Sequence, residues 1–173
     1  MIDVIEFIKD VFGYVIIIVI IVLIRVYILS PIEVVGDSME PNLQNGNIMV
    51  IDRVFHKVKE FKRFDIIAFE YDVPSYLIKR IIGLPGEKIE YNNNILYVNG
   101  IKIEEPFEYD GVTNDFSIEE LGYDVIPEEM YMVIGDNREH STDSRSFGFV
   151  FKEDITGKPF IIIWPFNKLG FVK

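Results

Sequence analysis

One uninterrupted apolar stretch near the start of the chain restricts its fold more than any other feature. Residues 11–24 (VFGYVIIIVIIVLI) carry no charge, and after Arg25 the apolar run continues to residue 29. This length matches the roughly 20 residues with which a helix crosses a bilayer, and the long stem of Arg25 can carry its charge to the interface. A buried core helix fits less well, because the β-branched run offers no polar face to water. We therefore predict a single transmembrane α-helix over residues 11–29.

The residues on either side of this stretch bear on its processing and its orientation. A cleaved signal peptide begins with basic residues and ends in a small-x-small cleavage site. Here the first ten residues (MIDVIEFIKD) are acidic overall and residues 29–32 read Leu-Ser-Pro-Ile, so we predict that the helix is retained. The flanking charges leave the orientation open, since Lys9 is outnumbered by nearby acids while Arg25 lies at the other end.

The composition excludes several classes of function. The chain of 173 residues has a formal net charge of −11, which argues against a nucleic-acid partner, because phosphate binding needs a basic surface. It contains no cysteine and only two histidines, His56 and His140, which disfavours thiolate and His-rich metal sites. We expect neither a metal nor another cofactor. The length allows one domain of ordinary size in addition to the helix.

From Pro31 onward, short apolar runs alternate with turns. The runs are rich in Ile, Val, Tyr and Phe, which favour strands, and helical periodicity is absent apart from one helical turn at 117–122. Strands are predicted over residues 32–35, 48–51, 66–69, 76–82, 89–91, 95–98, 101–103, 130–134 and 160–164. Asn-Gly dipeptides at 45–46 and 99–100 are typical of hairpins between antiparallel strands.

These patterns predict a mostly β fold with an antiparallel β-sheet body behind the helix. The expected division is a short N-terminus over residues 1–10, the membrane helix, and the body over residues 30–173. Within the body, the acidic and turn-rich segment 104–129 is expected to be a surface insertion. Trp164-Pro165-Phe166 fits either a membrane-interface contact or ordinary core packing.

Two clusters in the body contain residues suited to catalysis. The first, GDSMEPNL at 36–43, follows the membrane helix closely, although Ser38 taken alone is most often a turn or cap residue. In the second, Lys79 and Arg80 are consecutive on a strand, so one of them must face the apolar side or a cleft. A lysine that reaches back to solvent is the simpler interpretation. A desolvated lysine would instead have a lowered pKa and could act as a base.

A third cluster, GDNREHSTDSRSFG at 135–148, directly follows a predicted strand. A solvated turn accounts for its first three residues. It accounts less well for Ser141, Asp143 and Arg145, because alternate residues of an extended chain point the same way. The cluster is typical of a rigid functional loop.

The blocks GDSMEPNL, RFDIIAF, KRIIGLPGE and GDNREHSTDSRSFG, in this order beyond an N-terminal span, resemble the bacterial type I signal peptidases. The short insertion between the last two blocks is similar to the compact Gram-positive form of that family. The resemblance implies a membrane-bound Ser/Lys endopeptidase that removes signal peptides from secretory preproteins by cutting after small residues (Ala-x-Ala). It also implies a single-pass protein of the cell membrane, with the lipid bilayer and preproteins as partners and the body on the extracytoplasmic side.

The resemblance also assigns roles to individual residues. Ser38 would be the nucleophile and Lys79 the general base, while Ser141 would hydrogen-bond and orient the lysine. Asp143 and Arg145 would form a supporting ion pair. The chemistry agrees with these roles, because a serine hydroxyl needs a base to remove its proton and an ammonium cannot be that base. Lys79 must therefore be neutral at the working pH.

Further residues are implied at the loop and at a substrate pocket. Asp136 and Arg138 would help to hold the loop. The positions that align with the pocket are Ile32, Val34, Met39, Leu43, Leu77 and Ile78. Apolar side chains crowded around a pocket would admit alanine and exclude larger residues, although most of these positions also suit a β-sheet core.

The sequence departs from the commonest family pattern at two positions. Gly36 stands where larger members carry a serine whose hydroxyl helps to form the oxyanion hole, so that donor would have to be a backbone N–H. Phe64 stands where a glycine is usual, and we expect it to alter only a turn before a strand.

Two other classes of protein fit the sequence less well. A relative of the self-cleaving Ser/Lys repressors would need an Ala-Gly or Cys-Gly bond, but Ala68 is the only alanine, is followed by Phe69, and cysteine is absent. An inactive membrane-anchored binding protein is disfavoured by the presence of the complete set of implied catalytic and supporting residues. Labelling of Ser38 by an acylating inhibitor separates that scaffold from an enzyme.

Overall fold

The computed structural model describes residues 2–27, 29–53, 60–72 and 75–172. Within these residues a long N-terminal helix, α1 (Ile2–Tyr27), precedes a body built mainly of strands, with one further short helix, α2 (Ser144–Phe147). The strands are β1 (Leu29–Glu33), β2 (Ile48–Asp52), β3 (Ile66–Asp72), β4 (Ser75–Gly83), β5 (Ile89–Asn92), β6 (Ile95–Val98), β7 (Ile101–Ile103), β8 (Phe116–Ser117), β9 (Met130–Ile134), β10 (Val150–Phe151), β11 (Ile155–Trp164) and β12 (Gly170–Phe171).

In the part of the chain that the structure describes, the strands form two sheets. The larger has the order β1-β2-β11-β3-β4-β9-β10, with β12 paired to β11, and the smaller has the order β7-β6-β5-β8. Each strand pair is antiparallel. The prediction of a mostly β, antiparallel body is therefore confirmed.

Burial alternates along several of these strands, although nearly all of their residues are apolar. In β2, Met49 and Ile51 are buried while their neighbours are partly exposed, and β6 repeats the pattern with Leu96 and Val98. Successive strand residues point to opposite faces, so β2 and β6 each bury one face, whereas the central strands β3, β4 and β9 are buried on both. Each large side chain buried in this way stabilises the fold by about 1.5–3 kcal/mol.

Among the described residues, the core consists of three clusters, two on one face of the large sheet and the third, around Ile67 and Val133, on the other face. One cluster joins β4 and β9 to the small sheet through residues such as Ile82, Tyr91 and Met132. A second lies beneath β1, β2 and β3 and includes Met39 and Leu43 from the loop between β1 and β2. This loop is therefore anchored to the sheet by its own apolar side chains.

Two turns have the backbone conformations that their Asn-Gly sequences favour. Asn99 and Gly100, between β6 and β7, both have positive φ (52° and 78°), as a tight hairpin turn requires. Gly46 has φ of 80° and its N–H donates to the carbonyl of Val34, which closes the β1–β2 loop.

The helix differs in its limits from the predicted membrane span. Residues 2–10, expected as a short N-terminus, already belong to α1, and Leu29 begins β1 instead of ending the helix. Ile28, which is also part of the predicted span, lies outside the described residues. Among the described residues, no helix combines the length and the apolar character that crossing a bilayer requires.

The remaining differences concern short elements and the acidic segment. Strands β8, β10 and β12 were not predicted, whereas the helical turn at 117–122 is present as a 3₁₀ helix at Ile118–Leu121. The expectation that 104–129 lies at the surface is wrong for Phe116, Ile118 and Ile126, which are buried in the cluster that joins the two sheets. Apolar residues spaced irregularly along an acidic segment give no periodic signal of burial.

Ile118→Ala should destabilise the protein by about 2–5 kcal/mol, because it removes a fully buried side chain from this cluster. Val125→Ala is the matched control in the same segment, since Val125 is 46% exposed, and it should change the free energy of unfolding by less than about 0.5 kcal/mol. Chemical denaturation measures both values. Equal effects of the two substitutions would show that the segment does not contribute to the core.

Candidate active site

Ser38 and Lys79 are in direct contact although they are 41 residues apart in the sequence. Ser38 lies in the loop between β1 and β2, and Lys79 lies in the middle of β4. The Nζ atom of Lys79 is 2.6 Å from the Oγ atom of Ser38, which is hydrogen-bonding distance. As an ammonium, the lysine donates to the hydroxyl. As a neutral amine, it can accept the proton of the hydroxyl instead.

The surroundings of Lys79 shift its protonation equilibrium towards the neutral amine. Its side chain is only 1% exposed, and Ile67, its cross-strand neighbour on β3, is fully buried. Burial lowers the pKa of Lys79 from its ordinary value of 10.5 to about 8, because desolvation penalises the ammonium. The carboxylates of Asp143 and Asp136 act in the opposite direction and limit this shift.

The loop after β9 holds the backbone of the predicted nucleophile segment, residues 36–43. The N–H of Asn137 donates to the carbonyl of Ser38 at 3.1 Å, and its side-chain amide donates to the carbonyl of Asp37 at 3.2 Å. Gly135 packs so closely that an added Cβ would overlap both the carbonyl oxygen of Ser38 and the Oγ of Ser141. Only glycine fits at this position, so the first residue of the third block is required by close approach.

Ser141 does not make the hydrogen bond that was expected of it. Its Oγ is buried beside Gly135, and among the described residues it has no hydrogen-bond partner. The expected contact with Lys79 is therefore not formed.

Asp143 and Arg145 form the ion pair expected of them. The two oxygens of Asp143 accept from Nε and Nη2 of Arg145, each at 2.8 Å, and Asp143 itself is fully buried. Asp143 also accepts the N–H of Gly135 at 3.0 Å and caps the start of α2. Arg145 Nη2 donates to the carbonyl of Arg138 at 2.8 Å. The pair thus connects both ends of the loop.

Asp136 holds the same loop from the other side through Arg80. Arg80 is 1% exposed and binds both oxygens of Asp136, at 2.8 and 2.7 Å. It also donates to the carbonyl of Phe64 and lies 3.9 Å from the centre of the Phe107 ring. Asn42, from the nucleophile block, donates to Asp136 at 2.8 Å. The buried pair therefore joins β4, the loop and the nucleophile segment.

Arg138 connects the loop to the acidic segment. It is 2% exposed, forms an ion pair with Glu105 at 2.5 Å and donates to the hydroxyl of Thr113 at 2.6 Å. Its guanidinium lies 4.2 Å from the ring centre of Tyr109. The hydroxyl of Tyr91 donates to Glu105, and burial raises the pKa of Tyr91 well above its ordinary value, so it stays a donor. Asp136 and Arg138 thus hold the loop through separate partners.

A cleft of about 550 Å³ opens beside the Ser38 hydroxyl. Its lining residues come from the end of β1, the following loop and the start of β4: Ile32, Glu33, Val34, Val35, Ser38, Met39, Tyr76, Leu77 and Ile78. Of the six residues predicted for the pocket, only Leu43 is missing from the wall. It is 1% exposed and packs in the apolar cluster that also contains Met39.

Gly36 and Phe64, where the sequence departs from the family pattern, both have positive φ. Gly36 has a φ of 91°, and its N–H already donates to Asn45 Oδ1 at 3.0 Å, so it is not a free donor for an oxyanion. Phe64 has a φ of 73°, the left-handed region that favours glycine. Phe64 lies in a turn just before β3, as expected, and its ring also packs on that of Phe107, with 5.4 Å between the ring centres.

Metal-binding residues do not gather at this site. No group of three or more His, Asp and Glu side chains in the described ranges could hold a metal ion. His56 lies outside the described residues.

Comparison with known proteins identifies the family of the chain. The model of the family described as signal peptidase, peptidase S26, matches residues 4–164. The chain belongs to this family. Signal peptidase I of Bacillus caldolyticus is 41% identical over 156 residues, which cover 85% of this chain and 86% of the relative. Signal peptidase IB of Staphylococcus aureus strain COL is 36% identical over 155 residues, covering 82% and 81% respectively.

A solved structure from the signal peptidase family has the same fold over a large part of its length. The crystal structure of a signal peptidase I from Enterococcus faecalis V583 is 40% identical with a TM-score of 0.52, and the match covers 58% of this chain and 97% of that chain. The resemblance inferred from the four sequence blocks is therefore confirmed at the level of the family.

Sequence reasoning did not foresee three residues that organise the site of this signal peptidase family member. The first is Arg80. The sequence required only one of Lys79 and Arg80 to face inward, whereas both are buried. The second is Asn42, and its position inside the block that contains Ser38 could have indicated a role at the site. Glu105 had no such signal, since it is one of many acids in a segment expected at the surface.

Acylation of Ser38 should depend on pH through Lys79. If the neutral amine is the base, the rate constant should rise about tenfold per pH unit below a pKa of about 8 and level off above it. Stopped assays with a non-titrating acylating inhibitor measure this profile. Lys88→Met, at an exposed lysine, should leave the profile unchanged, whereas Lys79→Met should abolish the rise. A parent rate that stays constant between about pH 6 and 9 would contradict the role of Lys79 as base.

Proposed function

We propose that this protein is a membrane-bound serine endopeptidase that removes N-terminal signal peptides from exported preproteins. In this proposal Ser38 is the nucleophile and neutral Lys79 is the general base. The observation that carries it is the 2.6 Å contact between Lys79 Nζ and Ser38 Oγ at a lysine that is 1% exposed. Membership in the signal peptidase family supports signal peptides as the substrates.

The contact suggests a two-step acyl-transfer reaction. Neutral Lys79 takes the proton of the Ser38 hydroxyl as Oγ attacks the carbonyl carbon of the scissile bond. The tetrahedral intermediate then collapses, the C–N bond breaks, and the resulting lysine ammonium gives its proton to the leaving amine. Lys79, now neutral again, takes a proton from water as the water oxygen attacks the acyl-Ser38 ester. The ester C–O bond then breaks, the lysine ammonium returns the proton to Ser38 Oγ, and the signal peptide is released. No step needs a cofactor.

The charged pairs around the dyad have a positioning role in this reaction. The pair of Asp143 and Arg145 and the separate contacts of Asp136 and Arg138 hold the loop that hydrogen-bonds the Ser38 carbonyl. A fixed serine and a fixed amine keep the attack geometry, which is how positioning contributes to catalysis. We assign no hydrogen bond to Ser141 in this mechanism.

The apolar cleft beside Ser38 supports cleavage after small residues. An extended peptide laid beside a strand places alternate side chains on one face, so two side chains separated by one residue would enter the cleft. Val34, Met39 and Ile78 are buried walls of this cleft and leave little room for expansion. The expected recognition sequence is therefore Ala-x-Ala, as the family resemblance implies.

The dyad is tested by cleavage of a preprotein with an Ala-x-Ala site by the detergent-solubilised full chain. Ser38→Ala should lower kcat/KM at least about 1000-fold, because the acyl-enzyme cannot form. Lys79→Met should lower it about 100- to 10,000-fold, the range that general-base catalysis contributes. Lys88→Met, the exposed counterpart, should cleave at the parent rate.

Two outcomes would reject this assignment. A parent chain that fails to cut the preprotein, and whose Ser38 does not react with an acylating inhibitor, would favour an inactive binding protein. Cleavage by Lys79→Met at the parent rate would remove the lysine from the mechanism. Circular dichroism on each variant separates loss of chemistry from loss of folding.

We further propose that the apolar segment 11–29 anchors the chain in the cell membrane as a single pass, with the body extracytoplasmic. Support comes from α1, whose apolar side chains are widely exposed, as with Phe7 (67%) and Ile18 (59%). Trp164 and Phe166 are also exposed, a property that suits contact with a membrane interface.

Protease treatment of intact cells tests the location. The body should be digested from outside, because preproteins are cut after they cross the membrane, while a cytoplasmic marker stays intact. Protection of the body until the cells are lysed would contradict this orientation.

A further inference from the structure

Glu33 places a carboxylate at the wall of an otherwise uncharged cleft. Among the described residues that line the cleft beside Ser38, the others are apolar or carry a hydroxyl, and Glu33 alone is charged. Its side chain is exposed, and no described residue forms an ion pair or hydrogen bond with its carboxylate. The carboxylate is therefore available to a peptide that enters the cleft.

The position of Glu33 on β1 determines which substrate residues it can meet. Ile32 is partly buried and Val34 is 3% exposed, whereas Glu33 and Val35 are exposed, so the chain alternates between an inward and an outward face. β1 is the end strand of the large sheet and pairs on one side with β2. A peptide added beside β1 would place its inward side chains with Val34 and its outward side chains with Glu33.

In an Ala-x-Ala peptide, the two small residues and the residue between them face opposite sides of the strand. The small residues occupy the apolar side of the cleft, so residue x lies on the face of Glu33. An opposite charge at x would be attracted to the carboxylate, and a like charge would be repelled.

We propose that Glu33 is a specificity-determining residue that selects the charge of residue x, favouring Lys or Arg and disfavouring Asp or Glu. This inference rests on the proposed function, since it needs cleavage of an Ala-x-Ala substrate. It adds a determinant that is distinct from the fit of the small residues, because it acts on the side chain that points away from the apolar wall.

The test compares three preproteins that differ only at x: Ala-Gln-Ala, Ala-Lys-Ala and Ala-Glu-Ala. With the full-length parent, kcat/KM for the Lys substrate should exceed that for Gln by about two- to fivefold, and the Glu substrate should fall below Gln by a similar factor. These ratios should shrink as salt is raised, because the pair is exposed. Glu33→Gln should remove the order of the three substrates, and Glu33→Lys should reverse it.

A matched control separates local contact from overall charge. Glu128 is exposed and does not line the cleft, so Glu128→Gln removes the same negative charge elsewhere and should keep the parent order. Equal acylation of Ser38 by an inhibitor in all variants shows that the site is folded.

The possible results separate failure of the role of Glu33 from failure of the proposed peptidase function. Cleavage of all three substrates at equal rates by the parent would overturn the role of Glu33 and leave the peptidase assignment standing. Persistence of the order in Glu33→Gln would also overturn it. Failure of the parent to cut even the Ala-Gln-Ala preprotein would reject the proposed function and this inference with it.

Discussion

The site depends on one costly arrangement, an amine buried beside a serine hydroxyl. Removing Lys79 from water brings its pKa to about 8, and without that shift the lysine would be a permanent ammonium at neutral pH. The carboxylates of Asp136 and Asp143 act against this shift. Asp136 and Asp143 are each held by a guanidinium, from Arg80 and Arg145, so their attraction for the amine is limited. The ion pairs around the dyad are therefore part of its electrostatics as well as its support.

The loop after β9 converts this environment into a fixed geometry. It touches the nucleophile segment through the Asn137 N–H and through the close approach of Gly135, and it is anchored at Asp143 by α2. Arg138 extends the same connection to Glu105, so a segment that looks peripheral in the sequence takes part in holding the active-site loop. Because interiors are close-packed and transmit strain, changes in that segment can reach the serine.

Much of the fold could be predicted because runs of Ile, Val, Tyr and Phe bounded by turns mark most of its strands. Residues 95–98, 101–103 and 130–134 were assigned with their observed bounds, whereas the two-residue strands β8, β10 and β12 are too short to carry a period. At the site, the order of four blocks led to the correct family. Leu43 was assigned to the pocket wall because a sequence does not separate a wall residue from one packed beneath it.

The sequence by itself determined the antiparallel β character of the body, through β-forming runs separated by turns and Asn-Gly dipeptides, and the family, through motifs whose order is specific. Only the tertiary structure decided which atoms meet. Distant segments are joined by the 2.6 Å contact of Lys79 with Ser38 and by the ion pairs of Arg80 with Asp136 and of Arg138 with Glu105. The cleft that contains Glu33 is likewise built from distant segments. Such contacts depend on strand register and on packing around each group. A lowered pKa likewise belongs to the surroundings of a residue and not to its type.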